Sequence, residues 1–300
     1  MEKEIISNND ASELEILEFK LGNELYGINV AKVREIVPYS PVTPMPNVHP
    51  SIEGVFMPRD RMITAIDLRN CLGMGKSGRS GSFIITNFNK LDIAFHVDSV
   101  SRIQRVSWRD VNMPDSTISS IDKGISTGIV KLNGRLIIIL DFERIMSDVS
   151  PEALLRTEDI EEMGIRKKSD LPILIADDSL FLNKQISDSL KKAGYVNLIE
   201  CPNGKKAWDY IVQHAEDGDL RESVALVITD VEMPEMDGHT LTRLIKTNKH
   251  TRFLPVIIFS SLVNDDIRKK GEQLADCQLS KPEIGSLVKN IDALLHLEQG

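Results

Sequence analysis

The chain has 300 residues, 41% hydrophobic and 27% charged, with a formal net charge of −9, which leaves room for roughly two domains with real cores. An acidic balance without a basic patch argues against nucleic acid or an anionic membrane as partner. Its longest uninterrupted apolar runs, such as Leu136 to Leu140, fall far short of the ~20 residues that span a bilayer, and the acidic N-terminus has no signal-peptide pattern; no direct membrane insertion and a cytoplasmic location are expected.

The first half reads as β-rich. "ILEFKLGNELYGINV" (Ile16 to Val30) alternates apolar and polar residues around Gly22-Asn23, the pattern of a hairpin. Further strands are predicted at Ile52 to Phe56, Met62 to Ile66, Ser82 to Thr86, Ile93 to Val97, Ser126 to Leu132 and Arg135 to Leu140, the last two flanking the hairpin signal Asn133-Gly134. Many short strands separated by turns point to small barrels or a sandwich. "GMGKSG" (Gly73 to Gly78) lacks the earlier glycine of a phosphate-binding loop, since position 70 is Asn, and reads as a turn. "PYSPVTPMP" (Pro38 to Pro46) reads as a connection between strands.

"SPEALLRTEDIEEMGIRKKSD" (Ser150 to Asp170) separates the halves as a partly helical linker. Beyond it the period changes. Short apolar runs at Ile173 to Ala176, Val196 to Ile199, Ala225 to Thr229, Pro255 to Phe259 and Cys277 to Ser280 alternate with helical segments. One segment carries Leu182, Ile186 and Leu190 on one face, with Ser179 placed to cap it and Gly194 to stop it; another carries Ala207, Trp208, Ile211, Val212 and Ala215. Five strands alternating with helices make a doubly wound α/β domain with a parallel sheet. The cysteines Cys71, Cys201 and Cys277 are isolated, and the histidines lack metal-ligand spacing, so neither a disulfide framework nor a zinc site is expected.

In an open parallel sheet, ligands bind at the carboxyl ends of the strands. Asp177 and Asp178 follow the first predicted strand, Asp230 the third, Ser260 the fourth and Lys281 the fifth. Three carboxylates converging on one crevice repel each other unless a divalent cation sits among them, and an all-oxygen donor set suits Mg²⁺.

The motifs "ILIADDS", "LVITDVEMPEMDG", "VIIFSS" and "LSKP" closely resemble the receiver domain of response regulators over roughly residues 171–297. The resemblance implies that Asp230 takes a phosphoryl group from a phosphohistidine donor. It implies a Mg²⁺ site of Asp178, Asp177 through water, the Asp230 carboxylate and the backbone carbonyl of Glu232. Lys281 adds positive charge, and the Ser260 hydroxyl turns toward the phosphoryl oxygen, with the small Ser261 leaving the approach open. Gln278 stands where receivers often carry an aromatic residue, and Glu232 and Leu262 hold positions that tune phosphoryl lifetime in that family.

Upstream, "LEFKLGNELYGINVAKVREIV", "PVTPMPNVHPSIEGVFMPRDRMITAIDLRNCLG" and "GIVKLNGRLIIILDFERIM" resemble the CheW-like coupling domain of bacterial chemotaxis, which is two small SH3-like β-barrels packed together. That family links methyl-accepting chemoreceptors to the histidine kinase CheA. Partner-binding positions implied by the match are Glu35 in "VREI" and Arg59 in "MPRDRM", where Asp60 replaces the family's usual glycine and a changed turn is expected.

A coupling domain (13–148), a linker (149–170) and a receiver (171–297) form the arrangement of CheV-type chemotaxis coupling proteins. The expected fold is an all-β double SH3-like barrel followed by a (βα)5 receiver with a five-stranded parallel sheet. The expected function is a phosphorylatable adaptor between receptors and CheA, working at receptor arrays on the inner face of the membrane; the alternative is a phosphate sink that drains the kinase. No catalytic constellation is legible in residues 1–150, so the chain is expected to be an adaptor whose receiver accepts, and hydrolyses, its own phosphoryl group.

Overall fold

The computed structural model describes residues 13–88, 91–112, 125–150, 160, 163–164, 166–218, 220–261, 274–281 and 283–297. The chain divides into two compact units between Ile145 and Met146, each described by itself below.

Strands β1 (Glu13–Leu21) and β2 (Glu24–Asn29) open the first unit as the predicted hairpin, with Leu21 opposite Glu24 and Gly22 in the left-handed region at φ 62°. The chain then builds a second sheet from β3 (Val33–Pro38), β4 (Ile52–Phe56), β5 (Ile63–Asp67), β6 (Ser82–Phe88) and β7 (Leu91–Val97), with a one-turn helix α1 (Leu68–Cys71) after β5. It returns to the first sheet through β8 (Ser99–Ser107), β9 (Val111–Asn112), β10 (Ser126–Leu132) and β11 (Arg135–Leu140). The sheet orders are β8-β1-β2-β11-β10-β9 and β3-β6-β7-β5-β4. These are the two SH3-like sheets of a CheW-like fold.

Alternation explains both cores. Leu14, Ile16, Val106, Val130 and Ile137 fill the first, and Phe56, Ile63, Ala65, Phe83, Ile85 and Ala94 the second. A helix α2 (Phe142–Val149) begins with a wedge: the Phe142 ring meets Phe19 of the first sheet and Phe95 of the second edge-on, at 6.4 and 4.7 Å. The "GMGKSG" stretch is a loop pinned to Asp67, whose carboxylate accepts from Ser77 N and Oγ at 2.7 Å each. The "PYSPVTPMP" stretch connects β3 to β4 and docks on it through Thr43 and Val55.

The second unit holds β12 (Ile173–Ala176), α3 (Leu180–Lys192), β13 (Leu198–Cys201), α4 (Gly204–Asp217), α5 (Leu220–Ser223), β14 (Leu226–Thr229), α6 (Gly238–Thr247), β15 (Val256–Ser260), β16 (Cys277–Ser280) and α7 (Ile284–Leu294). All five strands are parallel, in the order β13-β12-β14-β15-β16. Ser179 caps α3, its hydroxyl accepting from Leu182 N at 3.3 Å, and Gly194 follows the helix at φ 99°. Leu190, Ile186 and α7 residues such as Val288 and Ile291 cover one face of the sheet; Ala207, Ile211, Leu241 and Ile245 cover the other.

Strand β13 begins two residues later than the sequence predicts, because the preceding residues serve the linker: Val196 N donates to Ser169 O and Asn197 Nδ2 to Asp170 O. The linker's end is fixed to this unit. Ile160 is buried in its core, and Arg166 Nη2 donates to both Asp292 oxygens at 2.6 and 2.7 Å beside the Tyr195 hydroxyl. The linker helix expected from Pro151, Leu154 and Leu155 lies outside the described residues, as does Leu262.

Candidate functional site

The strand order turns at β12, whose neighbours β13 and β14 lead away in opposite directions, and the crevice of such a sheet opens there at the strands' carboxyl ends. Asp177 and Asp178 leave β12 at that point and Asp230 leaves β14 beside them. One carboxylate oxygen from each of the three lies within 4.8 Å of the others. Lys281, directly after β16, reaches back across the sheet: its Nζ is 2.8 Å from Asp177 Oδ2 and 3.3 Å from Asp230 Oδ1.

Most of these groups are shielded from bulk solvent. Asp177, Asp230 and Lys281 are all buried, whereas Asp178 is half-exposed and opens the crevice to solvent. Burial pushes the Asp177 carboxyl up to about 6; Lys281 opposes the shift and the Asp230 charge adds to it. One ammonium therefore leaves this carboxylate cluster short of positive charge. Among the described residues Asp230 Oδ1 makes no hydrogen bond, and Lys281 Nζ stands 3.3 Å from it. Hard oxygen donors, close spacing and unmet negative charge fit a small divalent cation such as Mg²⁺.

Local sequence sets this geometry. Asp230 N donates to Ala176 O at 2.9 Å, so the end of β14 is tied to the end of β12. Gly238 starts α6 against the same backbone: a Cβ there would lie 1.9 Å from Asp230 O. Ser260, buried at the end of β15, accepts from Lys281 N through its carbonyl at 3.1 Å. Among the described residues neither the buried Ser261 hydroxyl nor the Gln278 amide has a hydrogen-bond partner. Glu232 lies half-buried in the loop between β14 and α6, two residues beyond Asp230.

Sequence reasoning passes over two contributors. Asn183 is buried in α3, where its Nδ2 donates to Cys201 O at 3.2 Å and to Asp177 O at 3.4 Å, bracing the ends of β13 and β12. Its place beside Leu182 within an amphipathic pattern carries no signal. Gly238 is legible only as a turn residue after Asp237, although its lack of a side chain decides how closely α6 approaches Asp230.

In the first unit, Glu35 and Arg59 form one feature. Arg59 Nη1 is 3.2 Å from Glu35 Oε2, with the Arg59 side chain 82% exposed. Arg59 and Asp60 stand at the tip between β4 and β5 with φ of 50° and 62°, so Asp60 adopts the left-handed conformation that a glycine would take without strain. Exposed Met57 and Met62 flank the tip.

Residues 15–150 match the CheW-like domain family and residues 173–292 the response regulator receiver domain family. Fold and crevice together define a class: an adaptor in which a coupling domain is joined to a receiver. Chemotaxis protein CheV3 of Helicobacter pylori is 32% identical over 281 residues, 88% of each chain. CheV2 of the same organism is 28% identical over 290 residues, 89% of this chain and 88% of that one. Chemotaxis protein CheW of Treponema pallidum is 30% identical over 141 residues, 45% of this chain and 83% of that one. The chain belongs to the CheV family of chemotaxis proteins.

Proposed function

We propose that this chain couples methyl-accepting chemoreceptors to the histidine kinase CheA, and that phosphorylation of Asp230 adjusts the coupling. The supporting observation is the crevice itself: three carboxylates and a buried lysine converge at the switch in strand order, in a chain whose other unit is a CheW-like adhesive domain. No helix among the described residues is long and apolar enough to cross a membrane, and the proposed place of work is the cytoplasmic side of the receptor array.

An Asp230 carboxylate oxygen attacks the phosphorus of a phosphohistidine. The O–P bond forms as the N–P bond breaks, and the imidazole nitrogen leaves with the electron pair, taking a proton. Lys281, 3.3 Å from Asp230 Oδ1, holds positive charge where the equatorial phosphoryl oxygens gather. Ser260 supplies a hydroxyl at the same strand end for the new phosphoryl group. The carboxylates of Asp177, Asp178 and Asp230, with the backbone carbonyl of Glu232, are the proposed holders of Mg²⁺, which when bound neutralises charge on the transferred group. The Glu35–Arg59 pair at the β3 edge and β4–β5 tip is the proposed partner-binding feature.

The test is a reconstituted assembly of receptor, CheA and full-length chain, comparing wild type with Asp230→Asn. Phosphoryl transfer to the variant is expected to vanish with its circular dichroism unchanged, and kinase activity is expected to stop responding to phosphodonor. Undiminished labelling of the variant removes the site assignment. Labelling that is lost while receptor and kinase affinities stay identical in both states favours a phosphate sink instead.

A further inference from the structure

The second sheet of the coupling unit buries a histidine completely. His96 lies on β7, opposite Phe83 of β6 and Asp67 of β5 in register. Both of its ring nitrogens face hydrogen-bond acceptors: Nδ1 is 2.6 Å from Glu53 Oε1, and Nε2 is 2.8 Å from the backbone carbonyl of Ser80. A neutral imidazole has one N–H and one lone pair, so it can serve only one of those acceptors. With the N–H directed at Ser80, a neutral ring turns its other lone pair on a carboxylate oxygen at hydrogen-bond distance. The geometry therefore requires one further proton on the Glu53–His96 pair.

The surroundings are arranged for that proton. Glu53 is the extra residue of a β-bulge in β4, where pairing with β5 jumps from Ile52↔Ile66 to Gly54↔Ala65, and bulges re-aim side chains. Gly54 permits the bulge at φ 139°; a Cβ there would meet Thr43 O at 2.0 Å. Tyr39 stacks on the ring at 4.9 Å and Phe83 tilts against it at 5.1 Å, presenting π faces to the imidazolium. The charged and titratable groups facing the ring are Glu53 from β4, Asp67 from β5 and Tyr39 from the chain after β3. Among the described residues no other cation pairs with Glu53. Burial disfavours the charged ring, but the Glu53 and Ser80 hydrogen bonds and the Glu53 and Asp67 charges outweigh it, raising the His96 pKa.

The pair joins three separate pieces of chain. β4 is an edge strand, and away from β5 its Val55 exchanges hydrogen bonds with Thr43, at 2.8 and 2.9 Å. Ser80 ends the loop that follows α1. We infer that His96 is a proton-dependent pin: while protonated it ties edge strand β4 and the loop end at Ser80 to β7, and loss of the proton releases β4 while the remaining N–H stays on the Ser80 carbonyl. Glu53 is the member that gives way, because its side chain is 19% exposed whereas that of His96 has no solvent contact. Below the ordinary histidine pKa the tie is complete; it is lost as pH rises through the raised folded value. The β4–β5 hairpin carries Arg59 at its tip, so on the partner-binding reading above the same proton steadies that tip.

The test uses the full-length chain. Hydrogen exchange of residues 52–56 and 79–82 is followed from about pH 6 to about pH 9, alongside ring-nitrogen NMR of His96. Wild type is expected to show a doubly protonated ring at the acid end and, as that ring titrates, a loss of protection of ~10-fold or more at residues 52–56 beyond the intrinsic rate change, with residues 79–82 changing less. Glu53→Gln is expected to hold the strand at every pH, because the amide N–H can donate to a neutral Nδ1. A singly protonated ring at about pH 6, or equal pH dependence in wild type and Glu53→Gln, overturns the inference. The wild-type NMR titration stands even if the variant does not fold, and neither measurement depends on receptor or kinase binding.

Discussion

The coupling unit and the receiver's crevice treat buried charge in opposite ways. Among the described residues of the coupling unit each buried carboxylate is satisfied locally: Glu18 by Gln104, with Arg102 and Arg135 alongside; Asp67 by Ser77 and Asn70; Asp141 by Arg144 N; Glu143 by Lys32. In the receiver the buried carboxylates of Asp177 and Asp230 share one lysine, and burial raises the Asp177 pKa despite that partner. Saturated charges hold a scaffold in shape. A cluster left short of positive charge is prepared to take some, which suits a site for metal and phosphoryl chemistry rather than a brace.

Removing the shared cation should break the receiver's side of this contrast most strongly. Lys281→Met is expected to slow phosphoryl transfer from CheA by roughly 10²–10³-fold, measured with radiolabelled phosphodonor on folded protein. A rate equal to wild type would deny the lysine a role in the chemistry. In the coupling unit the corresponding change, Lys32→Met, strips Glu143 of the ammonium that meets both its oxygens at 2.8 Å. The expected loss is about 3–5 kcal/mol of that unit's stability by urea unfolding, with no effect on phosphoryl transfer.

A subtler check uses pH. The folded pKa of Asp177, about 6, lies above its unfolded value of 3.8, so the unfolded state ionises first. Without divalent cation, Asp177 should therefore withdraw on the order of 3 kcal/mol of receiver stability as pH rises from about 4 to about 6. Asp177→Asn should flatten that slope, and added Mg²⁺ should restore stability to the wild type at neutral pH. The smallest expected structural effect is that of Arg59→Ala, whose ion pair is largely in solvent. Its unfolding midpoint should not move, while receptor or kinase binding weakens roughly tenfold.

Sequence legibility followed the physics of each element. The parallel strands β12, β14 and β15 read clearly because they are buried on both faces, and the hairpin at Asn133-Gly134 because φ of 50° and 76° is what that dipeptide favours. Strands β3 and β8 did not: they lie at sheet edges, β3 ends in Pro38, and β8 leaves most of its residues exposed or half-exposed. Helix α2 follows the apolar run of β11 with a single residue between them, Asp141, whose carboxylate caps it by accepting from Arg144 N at 2.9 Å.

The carboxylates and lysine of the candidate site were visible because strand ends in a parallel sheet are few and converge. The supports were not. Asn183 lies within an amphipathic helix pattern, and the Glu35–Arg59 pairing joins a residue of β3 to one at the β4–β5 tip, an adjacency that no local pattern encodes.

Gly238 carries a mechanical consequence. With no Cβ at this position, α6 begins flush against the carbonyl of Asp230, leaving no slack between the residue that would receive the phosphoryl group and the first turn of a ten-residue lever. A displacement of that backbone cannot be absorbed in a loose loop. It must move the start of the helix.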